Sequence, residues 1–127
     1  MLATMEIDES TATDVMALRK ATGMPLMDAK RFMHEQPREL ILRIMQAAKN
    51  QVAGESLRDP IEHDPVHGEV VAQVLDEVAK RSETELGTDR VMGRCHWVWV
   101  RAKELLRKKY GLLWYSPAEM NPTTSFD

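Results

Sequence analysis

The stretch Asp14-Val15-Met16-Ala17-Leu18-Arg19-Lys20-Ala21-Thr22-Gly23-Met24-Pro25-Leu26-Met27-Asp28-Ala29-Lys30-Arg31-Phe32-Met33 decides how this chain begins to fold. Val15, Leu18 and Ala21 recur at helical spacing. Gly23 supplies the left-handed residue that ends a helix, and Pro25 suits the first turn of the next, where its missing N–H is not needed. The second helix then carries Leu26, Ala29, Phe32 and Met33 on one face and Lys30 and Arg31 on the other. Working outward, Thr11 and Asp14 have the spacing of a capping box. That predicts a helix start near Thr13 and leaves residues 1–12, acidic and without periodicity, as a flexible lead-in. Downstream, Pro37 opens a third helix with Leu40, Ile41, Ile44, Met45 and Ala48 as its stripe, running to about Val52 and stopping by Gly54. Residues 13–53 therefore read as a three-helix module.

From Glu55 to Asp64 the chain turns polar and reads as a loop. Asp64-Pro65 reads as N-cap and first turn of a fourth helix, with Val66, Val70, Val74 and Val78 in a stripe beside Val71 and Leu75, ending at Gly87. β-Branched residues are mediocre helix formers, so tertiary packing must hold this helix. After a short turn at residues 90–93, a fifth helix from about Arg94 to Tyr110 places Cys95, Val98, Trp99, Ala102, Leu105, Leu106 and Tyr110 on one face, with Gly111 as its stop. The tail, residues 112–127, holds Leu113, Trp114, Tyr115 and Phe126, which is too apolar for a free end. The expected fold is all-α: a three-helix N-terminal module, then a two-helix hairpin with an ordered irregular C-terminal tail over 54–127, packed as one unit with the first module.

Apolar residues make up 43% of the 127 residues, enough for a real core. The single cysteine, Cys95, excludes an internal disulfide framework. The first ten residues lack the basic start and apolar run of a secretory signal, and no stretch approaches the ~20 apolar residues of a membrane span. The expectation is a cytoplasmic protein with no membrane association. A net charge of −3 gives no global preference for nucleic acid. The charge is nevertheless uneven: ten acidic against three basic residues from Glu55 to Asp89, and six basic against Glu104 alone from Arg94 to Lys109. Pairing of an acidic fourth helix with a basic fifth one accounts for this, and a basic patch for an anionic partner is the alternative.

Nothing here reads as catalytic machinery. His63 and His67 have zinc-like spacing, but Asp64-Pro65 puts His63 in the loop, ahead of the helix. Cys95 and His96 are sequence neighbours and project about 100° apart on a helix. Cys95 sits on an apolar face, the usual place of a small buried hydrophobe, although a first-turn position favours a thiolate. Glu62, Asp64 and Glu69 fit a solvated loop and helix start. The expectation is therefore a non-enzymatic protein with no cofactor and no metal. Trp97 stands out, because it lies off the apolar stripe among Arg101, Glu104 and Lys108. Either the tail folds over it, or it is a partner-binding residue of the hot-spot type.

The stretch from Asp14 to Met33 resembles the helix–turn–helix of the C-terminal domain of the bacterial ribosomal stalk protein. It is also similar to the ubiquitin-associated-type N-terminal module of elongation factor Ts. The shared pattern is the helix ending in Arg19, the turn Ala21-Thr22-Gly23, and then Leu26, Ala29 and Lys30. In the stalk family this surface binds translation GTPases with the help of a basic pair, and Arg19 and Lys30 occupy the matching positions. Met16 stands where that family often has lysine, and Pro25 where it has glycine. The resemblance implies a protein-interaction module, with Val15, Arg19, Met24 and Lys30 facing a translation factor or ribosome-associated protein. Two alternatives stay open: a small inhibitor or immunity protein using the acidic segment 55–85, and nucleic-acid binding through Arg94, Arg101, Lys103, Arg107, Lys108 and Lys109.

The helical spacing also places Val74 and Leu106 in the shared interior of the hairpin. Val74→Asp buries an unpaired charge there and is expected to cost several kcal/mol, read as a large fall in melting temperature. A variant melting within a few degrees of the parent would overturn that face assignment.

Overall fold

The computed structural model describes residues 2–51, 55–87 and 93–126, with side chains described from residue 12 onward. Six α-helices follow one another among these residues: α1 (Leu2–Thr22), α2 (Leu26–Glu35), α3 (Arg38–Lys49), α4 (Gly68–Leu86), α5 (Arg94–Tyr110) and α6 (Pro117–Met120), with a 3-10 turn at Pro60–His63 before α4. No strand occurs among the described residues, and the fold is all-α. Among the described residues no helix is long and apolar enough to cross a membrane.

The turn between α1 and α2 forms as its residues dictate. Gly23 takes φ +77°, and its N–H donates to the Arg19 carbonyl at 2.7 Å. Thr22 Oγ1 donates to the Leu18 carbonyl and accepts from the Met24 N–H, holding the turn from inside. Pro25 and Pro37 sit at the N-cap positions of α2 and α3, one residue earlier than a first-turn proline. The start of α1 differs from expectation. The backbone is helical from Leu2, so residues 2–12 continue the helix and Thr11 is not its cap. No proline or glycine interrupts the chain between Leu2 and Thr22, and the capping signal at Thr11 competes against an unbroken helix-permissive run. At the other end, α3 closes at Lys49 with Asn50 as its C-cap; the expected end near Val52 and the turn at 90–92 lie outside the described residues.

The fourth helix begins later than Asp64-Pro65 suggests: α4 starts at Gly68 with His67 at its N-cap, and Asp64 caps the turn that leads into it. The Asp64 Oδ2 accepts the N–H groups of Val66 (2.9 Å) and His67 (2.8 Å), the work of an N-cap carboxylate. Val66 precedes the helix and is exposed, while Val71, Val74 and Val78 are buried against Val98, Ala102 and Leu106 of α5. Fully burying a valine or leucine is worth roughly 1.5–3 kcal/mol, which offsets the modest helix propensity of the valine stripe. Arg94 fixes the antiparallel corner by donating to Ser82 Oγ at 3.0 Å and to the Gly87 carbonyl.

Two apolar clusters result. One joins Val15, Leu18, Met24, Ala29, Leu40 and Ile44 of the first three helices; the other lies inside the α4–α5 hairpin. The chain after Gly111 ties them together. Trp114 is buried in the hairpin cluster, whereas Tyr115 and Met120 are buried in the first. Adjacent residues of an extended stretch point in opposite directions, so one passage of chain serves both cores. Ser116 and Glu119 form a full capping box on α6, a signature present in the sequence as Ser-x-x-Glu.

Gly68 is buried where α4 meets the 3-10 turn, and a Cβ there would lie 2.7 Å from the Glu62 carbonyl oxygen. Glycine to alanine in a helix ordinarily stabilises. Here we expect Gly68→Ala to destabilise by roughly 1–3 kcal/mol through overpacking against backbone. Urea unfolding measures it, and a stabilised variant would refute the close approach.

Candidate functional site

The residues named by the stalk-like surface divide in two. Val15 and Met24 are buried in the first core cluster and face inward. Their apolar character serves packing between α1 and α2, and neither is available to a partner. Arg19 is half-buried, with its Nε 3.4 Å from the Met24 carbonyl, and Lys30 is exposed. What α1 and α2 do present is a different set. Met16 is 60% exposed, Leu26 41% and Met27 67%, and Lys20, Lys30 and Arg31 are exposed on the same two helices. Leu26, expected on the packed face of α2, is therefore part of the surface; the packing falls to Ala29, Phe32 and Met33. The available signal was that Met16 and Met27 fall off both apolar stripes.

The basic residues of α5 do not form one free patch. Arg94 is taken by the hairpin corner. Arg101 lies 3.9 Å above the Trp97 ring. Lys103 pairs with Glu119 at 2.7 Å, and Lys108 with Glu104. Lys109 approaches the Tyr110 ring, and Arg107 is exposed. Exposed pairs of this kind contribute little to stability; Arg101, Arg107, Lys108 and Lys109 remain exposed along the helix.

Trp97 is half-buried and packs against the edge of the hairpin cluster, with Arg101 stacked over it. The tail instead meets Trp99: the Phe126 ring lies edge-on to it at 5.3 Å, and His96 Nε2 is 2.8 Å from the Phe126 carbonyl oxygen. The tail is thus ordered, as its apolar content predicts, but it follows the seam between the two halves. An indole is large enough to reach round the helix to the core edge from an off-stripe position.

The acidic segment also turns partly inward. Asp59 is wholly buried. Its Oδ2 accepts from Arg43 Nη1 at 2.7 Å and from the Tyr115 N–H at 2.8 Å, and its Oδ1 accepts from the Ile61 N–H at 3.0 Å. Arg43 also donates to Glu39 and to the Leu113 carbonyl, and it lies over the Tyr115 ring. Glu62 accepts from Trp114 Nε1 at 2.9 Å and from Arg58. Burial works against the charge of Arg43, but the Asp59 and Glu39 carboxylates outweigh it and raise its pKa. Burial pushes the Tyr115 phenol up, against the opposing effect of the Arg43 guanidinium. The backbone N–H of His67, with that of Val66, holds the Asp64 carboxyl below the usual range.

His63, His67 and Glu69 are exposed, and Cys95 is half-buried in the first turn of α5. No group of three histidine, cysteine, aspartate or glutamate side chains that could hold a metal occurs among the described residues. Comparison with protein-family models, curated proteins and solved structures finds no match to this chain.

Removing one partner of a buried ion pair strands the other. Asp59→Ala is therefore expected to cost about 3 kcal/mol. Glu39→Ala, which breaks only the exposed side of the same network, is expected to cost under about 1 kcal/mol. Urea unfolding of both variants checks this, and equal losses would contradict the assignment of Asp59 as the central acceptor.

Proposed function

We propose that this protein is a non-enzymatic interaction module, and that it engages a protein partner through the outer surface of α1 and α2. The observation that carries this reading is the exposure of Met16, Leu26 and Met27 on two helices that also present Lys20, Lys30 and Arg31. Apolar side chains concentrated on one module and rimmed by charge are the usual mark of a docking surface, and methionine adapts its shape to a partner. The resemblance of residues 14–33 to the stalk domain, whose matching surface binds translation GTPases, supports a translation factor or ribosome-associated protein as the partner class. Arg19 and Lys30 keep the basic positions of that pattern. Val15 and Met24 contribute by shaping the turn rather than by contact. The reading carries no catalytic step and needs no cofactor.

A double substitution, Met27→Ser with Lys30→Glu, tests the proposal on the full chain. Both positions are exposed, so stability should change by no more than about 0.5 kcal/mol. Binding to purified translation elongation factors, followed by fluorescence anisotropy, should weaken by at least about tenfold. Undiminished binding would move the interface elsewhere, and no binding by the parent protein would remove the partner class.

A further inference from the structure

A second surface, separate from α1–α2, lies between α3 and the segment 55–60, where an open groove encloses about 650 Å³. Leu57 explains its character. The Leu57 N–H donates to Asn121 Oδ1 at 2.8 Å, and the Leu57 carbonyl accepts from Asn121 Nδ2 at 2.8 Å. The asparagine amide thus stands where the backbone of a neighbouring strand would stand. In an extended chain both polar groups of one residue point to the same edge, and those of its neighbours point to the opposite edge. Those neighbours are Ser56 and Arg58. Among the described residues nothing bonds the backbone N–H or carbonyl of either.

This edge is held rigidly. The Leu57 side chain is buried in the first core cluster, and Asp59 is fixed by Arg43 and Tyr115. Gln51 Nε2 donates to the Glu55 carbonyl at 2.8 Å and closes one end of the groove. Across it, α3 offers Leu42 and Gln46 and its C-cap Asn50, all exposed and spaced by four residues. A fixed extended segment with an unpaired edge is a template for an added strand. Of the charged lining, Asp59 is buried and paired with Arg43, which leaves the carboxylates of Glu39, Glu55 and Asp64 against the guanidinium of Arg58, three negative charges to one positive.

We propose that this groove binds an extended, positively charged peptide segment of a partner protein, which adds as a strand along Ser56–Arg58 and rests its side chains on α3. Backbone pairing supplies the affinity, and the carboxylates of Glu39, Glu55 and Asp64 select basic side chains at alternate positions. The site is separate from the α1–α2 surface, where Asp28 and Glu35 are exposed alongside Lys20, Lys30 and Arg31, so the two sites take different partners.

The probe is a fluorescein-labelled heptapeptide of alternating lysine and valine, titrated into the full chain. Anisotropy measures affinity, and backbone amide shifts locate the site. The amides of Ser56 and Arg58 are expected to shift. N-methylating every second peptide nitrogen should weaken binding by about tenfold in one register, where it removes the donors facing the edge, and leave the other register unchanged. Replacing lysine with glutamate should weaken it by a similar factor. The proposal is overturned if the peptide does not bind, if the shifts fall on α1 and α2 instead, if both N-methylated registers bind alike, or if the glutamate peptide binds as well as the lysine one.

Discussion

The carboxylate of Asp59 is the point on which the rest of the structure depends. It is fully buried, and a buried carboxylate is tolerated only when its charge and its lone pairs are both answered. Arg43 of α3 answers the charge, and the N–H groups of Ile61 and Tyr115 fill the remaining acceptor sites. Those donors come from the three-helix module, from the 3-10 turn that leads into the hairpin, and from the C-terminal segment. A single acid thereby sets the position of all three. The pair does not add net stability in the way that apolar burial does, because its desolvation cost is of the same order as its attraction. Its contribution is register: with Arg43 committed to Asp59, Glu39 and the Leu113 carbonyl, the tail can cross α3 in one place only.

From that crossing the division of the cores follows. Trp114 goes to the hairpin with its indole N–H on Glu62, and Tyr115 goes to the first module beneath the Arg43 guanidinium. Lys103 approaches the same tyrosine ring from α5 at 4.6 Å while pairing with Glu119 of α6. Asn121 then locks the Leu57 backbone. The polar groups at the junction, Asp59, Glu62, Arg43 and Lys103, are thus committed to partners there, whereas Glu69, Asp76, Glu77, Glu83 and Glu85 of α4 and Arg101, Arg107, Lys108 and Lys109 of α5 remain exposed. The surface of α1 and α2 is different, since its basic residues stand beside exposed methionines.

Local rules acting over a few residues were enough to read the helices. The glycine turn at Gly23, the prolines at 25 and 37, the valine stripe apart from Val66 and the apolar face of the fifth helix apart from Tyr110 could all be seen in the chain. Each depends on neighbours within one or two turns. The capping box of α6 was equally local, standing in Ser116 and Glu119. The same rules placed Val74 and Leu106 inside. They set Val15 on the stripe of α1 and left Met16 and Met27 off the stripes, but they put Leu26 on the packed face of α2, where the structure leaves it exposed: a helix buries a given face only according to what is laid against it. The junction was decided by the tertiary structure alone. Arg43 and Asp59 are 16 positions apart, Asp59 and Tyr115 56, and Leu57 and Asn121 64. No periodicity links such residues, so an aspartate in a polar loop looks solvated until an arginine and two backbone amides are brought round it. What the chain specified was which segments are helical and which of their faces are apolar; which acid is buried, where the tail crosses and which apolar side chains are left outside depended on how those faces met.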